Sequence, residues 1–369
     1  MSHDRHRRTA ILGSVLTALL VMTLLLSAYG GWFDPSRTGP FPALAVLAYP
    51  AVVLLSAVLL VVLMISRRWR SGAAVGMALL ATLPALRTVC PVNRMESLPS
   101  QETTLTLLHW NVAGWDSCGT IIRGRENDNM RQILDSGADL VALVEPTNHG
   151  WDYDKTPSTL GMREEIDSIY PFRSHGNHNG VALLSRYPFH EVRISKPVES
   201  FQYLGYILTT YNDMAYDVQL PTGDSVRVIV AYMPSFKLDK AQRKVFTDPA
   251  DAVGGSLLKK LSDAFDARAV RSRQLRRVID QSCRNVIVCC DLNDVPSSYA
   301  HRTLMGGDMH DTFADAGCGY TPTYHANGML FHLDHVLFRG GKLRLTGYRR
   351  LPRALSDHSP ILVSWAVGQ

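Results

Sequence analysis

The chain has 369 residues and a formal net charge of +5, yet the basic excess sits at one end: residues 1–102 hold nine Lys and Arg against four Asp and Glu, and the remainder holds 29 of each. The larger part is therefore neutral, and the sequence pI of 8.9 gives no support to a duplex-DNA-binding domain, which carries a basic footprint. The six cysteines show neither C-x-x-C nor finger spacing, and buried thiols are the expected state.

Hydrophobicity is concentrated at the front. Ala10 to Gly30 and Ala43 to Ile65 are runs of about twenty residues without a charge, long enough as helices to cross a hydrocarbon core of roughly 30 Å. A third, weaker run covers Gly72 to Leu86 and is interrupted by Pro84. Arg5, Arg7 and Arg8, with Ala28 further on, would also suit a cleaved signal peptide. The first run is long for such a segment, however, and a second follows after the turn GGWFDPSRTGPFP, so a membrane hairpin is the better reading. Arg67, Arg68 and Arg70 follow the second run, whereas the turn holds only Arg37, opposed by Asp34. The positive-inside bias then puts the N-terminus and the RRWR segment in the cytoplasm. The third run decides where the rest lies. Gly and Ala at 72, 73, 74, 76 and 78 favour close packing against the other spans, so crossing, with an extracytoplasmic remainder, is the expectation.

After the segment NRMESLPSQET, the pattern predicts a strand over Thr104 to Trp110 running into Asn111, a helix around Asn129 to Ser136 ended by Gly137, and a strand from Asp139 to Glu145. Further strands are predicted over Gly180 to Ser185, Val226 to Tyr232, Val286 to Cys290, Leu333 to Phe338 and Ile361 to Trp365. A long helix is predicted over Phe265 to Ser282. Strands dominate with helices between them, which argues for an α/β sandwich of mixed sheets covered by helices.

The strands end on polar residues. VCCDLNDVPSS, residues 288–298, runs from an apolar core segment into Asp291 and Asn293; the other ends are Asn111, Glu145, Tyr232, Asp334 and the pair Asp357-His358. Singly, each reads as a turn cap or a solvated loop. Jointly they supply carboxylate and amide oxygens for a hard divalent ion, a base for water and donors for developing charge, which is what phosphoryl transfer needs.

The motifs HWNVAGW, LVALVEP, NGVALLSRYP, VAYMPS, VIVCCDLND, LDHVLF and LSDHSPI, in this order over residues 104–369, resemble the endonuclease/exonuclease/phosphatase superfamily of DNase I-like phosphohydrolases. The preceding hydrophobic segments resemble its membrane-anchored members in Bacteroidetes. The resemblance implies N-terminal transmembrane helices followed by a DNase I-like four-layer α/β sandwich. Its division would be a membrane anchor of two or three helices over 1–90, a linker over 91–103 and a catalytic domain over 104–369. It implies Mg²⁺ or Mn²⁺ held by Glu145, with Asn111 and Asp357 completing the shell. Asp291 would be the general base, Asn293 would hold a phosphate oxygen, and His358, oriented by Asp334, would donate to the phosphate. Asn179 is a further substrate-binding candidate. The implied partners are the bilayer of a bacterial cytoplasmic membrane and a phosphate-ester substrate, lipid-linked or nucleic acid.

The chain departs from the family pattern at three places. Val144 stands where a Gln or Glu often precedes the metal ligand, Cys290 replaces a Gly before Asp291, and Tyr232 stands where many members carry a His. A phenol with a pKa near 10 donates a hydrogen bond but shuttles protons poorly at neutral pH. Arg268, Arg271, Arg273, Arg276 and Arg277 on the long helix read as a solvated basic face, or alternatively as a surface for anionic lipid. His175, His178, His325 and His332 lack ligand spacing and read as surface or supporting residues. Three functions stay open: a tethered phosphohydrolase acting on a lipid or polyprenyl phosphate, a tethered nuclease, and an inactive membrane scaffold. Retention of Asn111, Glu145, Asp291, Asn293, Asp334, Asp357 and His358 together argues against the last.

Overall fold

A computed structural model describes residues 2–93, 104–115, 127–146, 162–174, 180–192, 201–203, 206–208, 213–236, 255–282 and 285–368. In chain order the helices are α1 (Ser2–Tyr29), α2 (Pro35–Thr38), α3 (Phe41–Leu47), α4 (Tyr49–Ile65), α5 (Trp69–Ala81), α6 (Leu83–Val89), α7 (Asp128–Asp135), α8 (Arg163–Ile169), α9 (Gly255–Asp280), α10 (Tyr299–Met305) and α11 (Thr312–Ala316). The strands are β1 (Thr104–Asn111), β2 (Leu140–Val144), β3 (Phe172–Arg173), β4 (Val181–Ser185), β5 (Phe189–Val192), β6 (Phe201–Tyr203), β7 (Tyr206–Leu208), β8 (Asp213–Gln219), β9 (Ser225–Tyr232), β10 (Val286–Asp291), β11 (His310–Asp311), β12 (Asp334–Arg339), β13 (Leu343–Arg350) and β14 (Ile361–Val367).

Two six-stranded sheets have the orders β13-β14-β1-β2-β4-β3 and β11-β12-β10-β9-β8-β5. Each is built around one parallel pair, β1 with β2 and β9 with β10, flanked by antiparallel neighbours. Period-two alternation sorts every strand between two cores. Leu105, Leu107, Leu140, Ala142 and Val144 of one sheet meet Val226, Val228, Val230, Ile287 and Cys289 of the other. The opposite faces are covered by helices. Met130, Ile133 and Ile166 of α7 and α8 pack on Leu108, Trp110, Val141 and Leu143. Leu275, Ile279 and Leu304 of α9 and α10 pack on Ile229, Ala231, Val288 and Cys290. The result is the expected helix–sheet–sheet–helix sandwich.

Several elements differ from the pattern reading. The long helix α9 begins at Gly255 rather than Phe265, because Leu261 and Ala264 extend its buried stripe. Strands β5, β8 and β13 were hidden by charges on their exposed faces; β13 also carries a register shift between Leu345 and Gly347. Cys289 and Cys290 are buried free thiols as expected, whereas Cys318 is exposed.

In the front segment, Ile11–Trp32 is a helix long and apolar enough to cross a membrane. The second run is not the single span expected: α3 and α4 meet at 67°, and α5 and α6 meet at 53°. Pro50 and Pro84 lie in the first turn of α4 and α6, where a ring that cannot continue the preceding helix is tolerated. Counting each bent pair as one span gives up to three by length and composition. Tyr29 donates to Ala81 O and Tyr49 to Thr82 O at 3.0 Å, while the first part of α1 at Gly13 lies against Arg68, so the three segments run up, down and up.

This bundle packs directly on the sandwich. Asp34 in the first turn pairs with Arg273 at 2.7 Å, and Trp32 lies under the Arg302 guanidinium at 4.5 Å. A Cβ at Gly31 would overlap the Ser297 carbonyl, so only glycine permits this approach. Val46 is buried against Val295 and Leu333, and Asn93 donates to Ala314 O at 2.9 Å and Gly317 O at 3.0 Å.

Candidate active site

The inward-facing rows of the central strands do not end in apolar residues. Leu105 and Leu107 are followed in their row by His109 and Asn111; Val228 and Val230 by Tyr232; Ile287 and Cys289 by Asp291. Asp334 precedes Val336 and Phe338 in the same way. Strand register brings these termini together: Asp291 pairs with Tyr232 on one side and with Asp334 on the other. The inter-sheet core thus opens at one end into a polar floor.

Glu145 and Asn293 lie one and two residues beyond their strands, and both adopt left-handed backbone, with φ of 52° and 50°. Asn tolerates that region; for Glu it costs on the order of 1 kcal/mol. The Glu145 turn is held on both sides, its N–H donating to Gly180 O at 2.8 Å and its carbonyl accepting from Gly114 N at 2.9 Å. Held strain of this kind redirects a side chain at the point where a strand stops.

Asp291 is the hub. Its Oδ2 accepts from the Asn111 amide at 2.9 Å, its Oδ1 from the Asn293 N–H at 3.0 Å, and His358 Nε2 lies 4.0 Å from Oδ2. His358 Nδ1 bonds Asp334 Oδ2 at 2.8 Å, and the Thr323 hydroxyl accepts from the Asp334 N–H at 3.1 Å. Ser356 ties the segment before β14 to the end of β1, donating to Asn111 O at 2.7 Å and accepting from the His358 N–H at 3.0 Å. Asn293 donates its amide to Met233 O at 3.1 Å, which leaves its second N–H free to turn to the cavity.

Burial, then the neighbouring Asp334 charge, raises the Asp291 pKa to about 7 against the opposing pull of His358, Asn111 and Asn293. Burial works against a charged His358, but Asp334 and Asp291 overcome it and lift the imidazole to about 10. The same pairing outweighs burial at Asp334 and holds it near 2. Asp291, Asp334 and His358 also offer ligand atoms within 4.8 Å of one another. An imidazolium bonded to Asp334 at 2.8 Å offsets one of the two carboxylates, so the three carry one excess negative charge when Asp291 is ionised. Burial, ahead of Glu145 and Asp291, holds Tyr232 well above the usual phenol range, with Glu145 accepting its hydrogen bond. Tyr232 therefore stands as a hydrogen-bond donor to Glu145.

One cavity of about 250 Å³ is lined by Asn111, Glu145, Tyr232, Asp291, Asn293, Asp357 and His358. Seven of the expected site residues are thus brought together, and Asp334 stands directly behind His358. Asn179, with His175 and His178, lies outside the described residues. The donor set facing the cavity contains three carboxylates and two amides, all hard oxygen ligands of the kind that suits Mg²⁺ or Mn²⁺. Asp334 Oδ1 is buried without a hydrogen-bond partner, a further sign of a site rich in negative charge. The residues fit a divalent ion.

Sequence reasoning missed the rest of the lining. Ser235 and Phe236 follow Tyr232, and Tyr324, Met329, Phe331 and Leu333 come from the segment before β12. Leu47 comes from the front segment. No spacing signal marks these residues, which meet only in three dimensions. The arginines of α9 also differ from the reading. Arg268 and Arg271 are buried, not solvated. Arg268 lies 3.4 Å from Asp294, donates to Asn293 O and sits 4.2 Å over the Phe236 ring; Arg271 pairs with Asp213 at 2.7 Å. Arg273 and Arg276 pair with Asp34 and with Asp280 and Asp308. Four of the five arginines are thus held by internal partners, and only Arg277 of the set is exposed, so the face offers no continuous lipid-binding stripe. His332, read as a surface or supporting residue, is buried.

Residues 108–358 match the Endonuclease/Exonuclease/phosphatase family. Nothing among curated proteins matches the chain. Among solved structures, an endonuclease/exonuclease/phosphatase from Beutenbergia cavernae DSM 12333 is 17% identical, covers 72% of this chain and 72% of its own, and has a TM-score of 0.48. The human Nocturnin catalytic domain with bound sulfate anion is 15% identical over 72% of this chain and 95% of its own, with a TM-score of 0.45. D. rerio TDP2 complexed with single strand DNA product is 15% identical over 72% and 100%, with a TM-score of 0.47.

Proposed function

The chain belongs to the endonuclease/exonuclease/phosphatase family, and from that premise we propose a membrane-anchored, Mg²⁺- or Mn²⁺-dependent phosphoric ester hydrolase whose catalytic unit, residues 104–369, lies outside a bacterial cytoplasmic membrane. Residues 1–90 are its anchor and 91–103 its linker. The observation that carries the chemistry is the fixing of Asp291 between the Asn111 amide and the Asn293 N–H, with His358 Nε2 at 4.0 Å. A carboxylate so held presents one orientation to a water molecule in the cavity, the requirement for a general base.

In this reading Asp291 takes a proton from water as the water oxygen attacks phosphorus, and the ester oxygen departs in line. The second N–H of Asn293 and the His358 imidazolium donate to the phosphate oxygens as charge develops. Asp334 fixes the ring orientation of His358, and Tyr232 orients Glu145. Glu145, Asn111 and Asp357 are the residues that would hold a divalent ion, which when bound supplies neutralisation of the phosphate charge.

Orientation is supported by the packing of the front segment. Arg67, Arg68 and Arg70 lie at the end of the bundle away from the sandwich, where the first part of α1 meets Arg68. The turn at Gly31 to Asp34 and the residues after α6 both contact the sandwich. With arginines held inside, the catalytic unit falls outside.

The test uses the full chain in lipid nanodiscs, assayed on a chromogenic phosphodiester with Mg²⁺, Mn²⁺ or EDTA. Turnover that survives EDTA, or that survives Asp291→Ala undiminished, would remove the assignment. A reporter fused after residue 103 reads the side of the membrane, and a cytoplasmic signal there would reverse the topology.

A further inference from the structure

We infer that the anchor completes the substrate pocket, with Leu47 as a specificity residue, and that the substrate is an amphiphilic phosphate ester whose apolar chain lies on Leu47, Met329 and Phe331. This rests on the reading of the polar floor as a hydrolase site. Leu47 belongs to the apolar run that begins at Ala43, ends α3 immediately before the 67° bend into α4, and lines the same cavity as Asp291 and His358. Its placement is built in: the neighbouring Val46 is buried against Val295 and Leu333, so the last turn of α3 is seated on the sandwich.

The apolar wall is continuous with the catalytic floor. Tyr324 bridges both His358 and Phe331 through its backbone, and its ring lies 5.0 Å from the His358 ring. From there the wall passes through Phe331 to Leu47, and these two residues also line a small cavity that reaches Val46, Pro50 and Val89 of the bundle. A path of apolar side chains therefore runs from the phosphate floor to the helices of the anchor. A single phosphate beside an alkyl or isoprenyl chain matches a floor of this kind with a wall of that kind.

The experiment measures kcat/KM for a series of alkyl p-nitrophenyl phosphodiesters, methyl to octyl, on the full chain in nanodiscs with Mg²⁺. In the wild type kcat/KM is expected to rise by about 2- to 4-fold for each methylene that reaches the wall, the increment of a buried CH₂. In Leu47→Gln and Phe331→Gln that slope is expected to fall by half or more. A wild type with no chain-length dependence, or a slope unchanged in both variants while turnover stays metal-dependent, overturns the inference. Should Leu47→Gln fail to assemble, Leu47→Trp narrows the same wall and is expected to cut octyl turnover more than methyl. If no ester is turned over, the hydrolase reading falls, and calorimetric binding of octylphosphonate against methylphosphonate still decides the pocket. Tenfold preference for octyl supports it and equal affinity overturns it. A final arm offers a diacyl phospholipid, a polyprenyl phosphate and plasmid DNA. Cleavage of either amphiphile identifies the source of the chain, and cleavage of DNA alone overturns the inference.

Discussion

Asp311→Asn isolates one electrostatic contribution in the wall behind the site. Asp311 and His301 are both buried, and His301 Nε2 bonds Asp311 Oδ2 at 2.9 Å. Burial alone would raise the Asp311 pKa, but the hydrogen bond and charge of His301, with smaller help from His335 and His332, bring it down to about 2. The unfolded value is about 3.9, so the depression corresponds to about 2–3 kcal/mol. The sign follows from a depressed acid: the stability is fully present above pH ~4 and is lost as pH falls through ~2, with about half remaining at pH 3. Asparagine keeps the acceptor that caps α11 through the Phe313 N–H at 2.9 Å but puts an amide NH₂ where Oδ2 accepts from His301 Nε2, so the substitution removes that hydrogen bond together with the charge. At this chain size the expected loss is roughly 3–5 °C in Tm at pH 7. Thermal unfolding followed by tryptophan fluorescence in nanodiscs, at pH 7 and pH 3, reads both quantities. A Tm within 1 °C of wild type at pH 7, or a gap that fails to narrow at pH 3, would refute the reasoning.

Arg268→Met leaves Asp294 buried without its guanidinium and withdraws a donor from the Asn293 carbonyl. The expected cost is about 3–5 kcal/mol, measurable in the same assay, and a loss below 1 kcal/mol would show that Asp294 finds another partner. Asp291→Asn is expected to lower kcat on the order of 10²- to 10⁴-fold with the fold intact by circular dichroism; a smaller drop moves the base elsewhere. Asn111→Ala removes the donor to Asp291 Oδ2. About 1–2 kcal/mol of stability and a comparable loss in kcat/KM are expected, and unchanged kinetics would detach Asn111 from the site. Millimolar Mg²⁺ is expected to raise Tm by mass action in the wild type and much less in Glu145→Gln, with differential scanning as the readout; equal shifts would exclude Glu145 as a ligand.

How much was legible in the sequence differs from residue to residue. Asn111, Tyr232, Asp291 and Asp334 could be found because they continue period-two rows whose earlier members are apolar, and the polar end of such a row is visible in one dimension. Glu145 and His358 were found by motif order. Their geometry was not, because a left-handed turn at Glu145 and a 2.8 Å bond from His358 to Asp334 depend on neighbours distant in the chain. Composition and arginine placement likewise pointed to an apolar front segment interrupted at Pro84, yet not to the break before Pro50.

Burial is where one-dimensional reasoning fails most clearly. Arg268 and Arg271 have the residue type of a solvated face, and only the tertiary fold supplies Asp294, the Asn293 carbonyl and Asp213 as partners that make their burial tolerable. Leu47 has the residue type of a lipid-facing helix, and only the bend after α3 turns it into the wall of a catalytic cavity. The sequence by itself determined which strands end in chemistry, since alternation and motif order are local properties of the chain. The tertiary structure alone decided what stands opposite those ends, since a contact between residue 47 and residue 331 is created by packing and leaves no periodic trace.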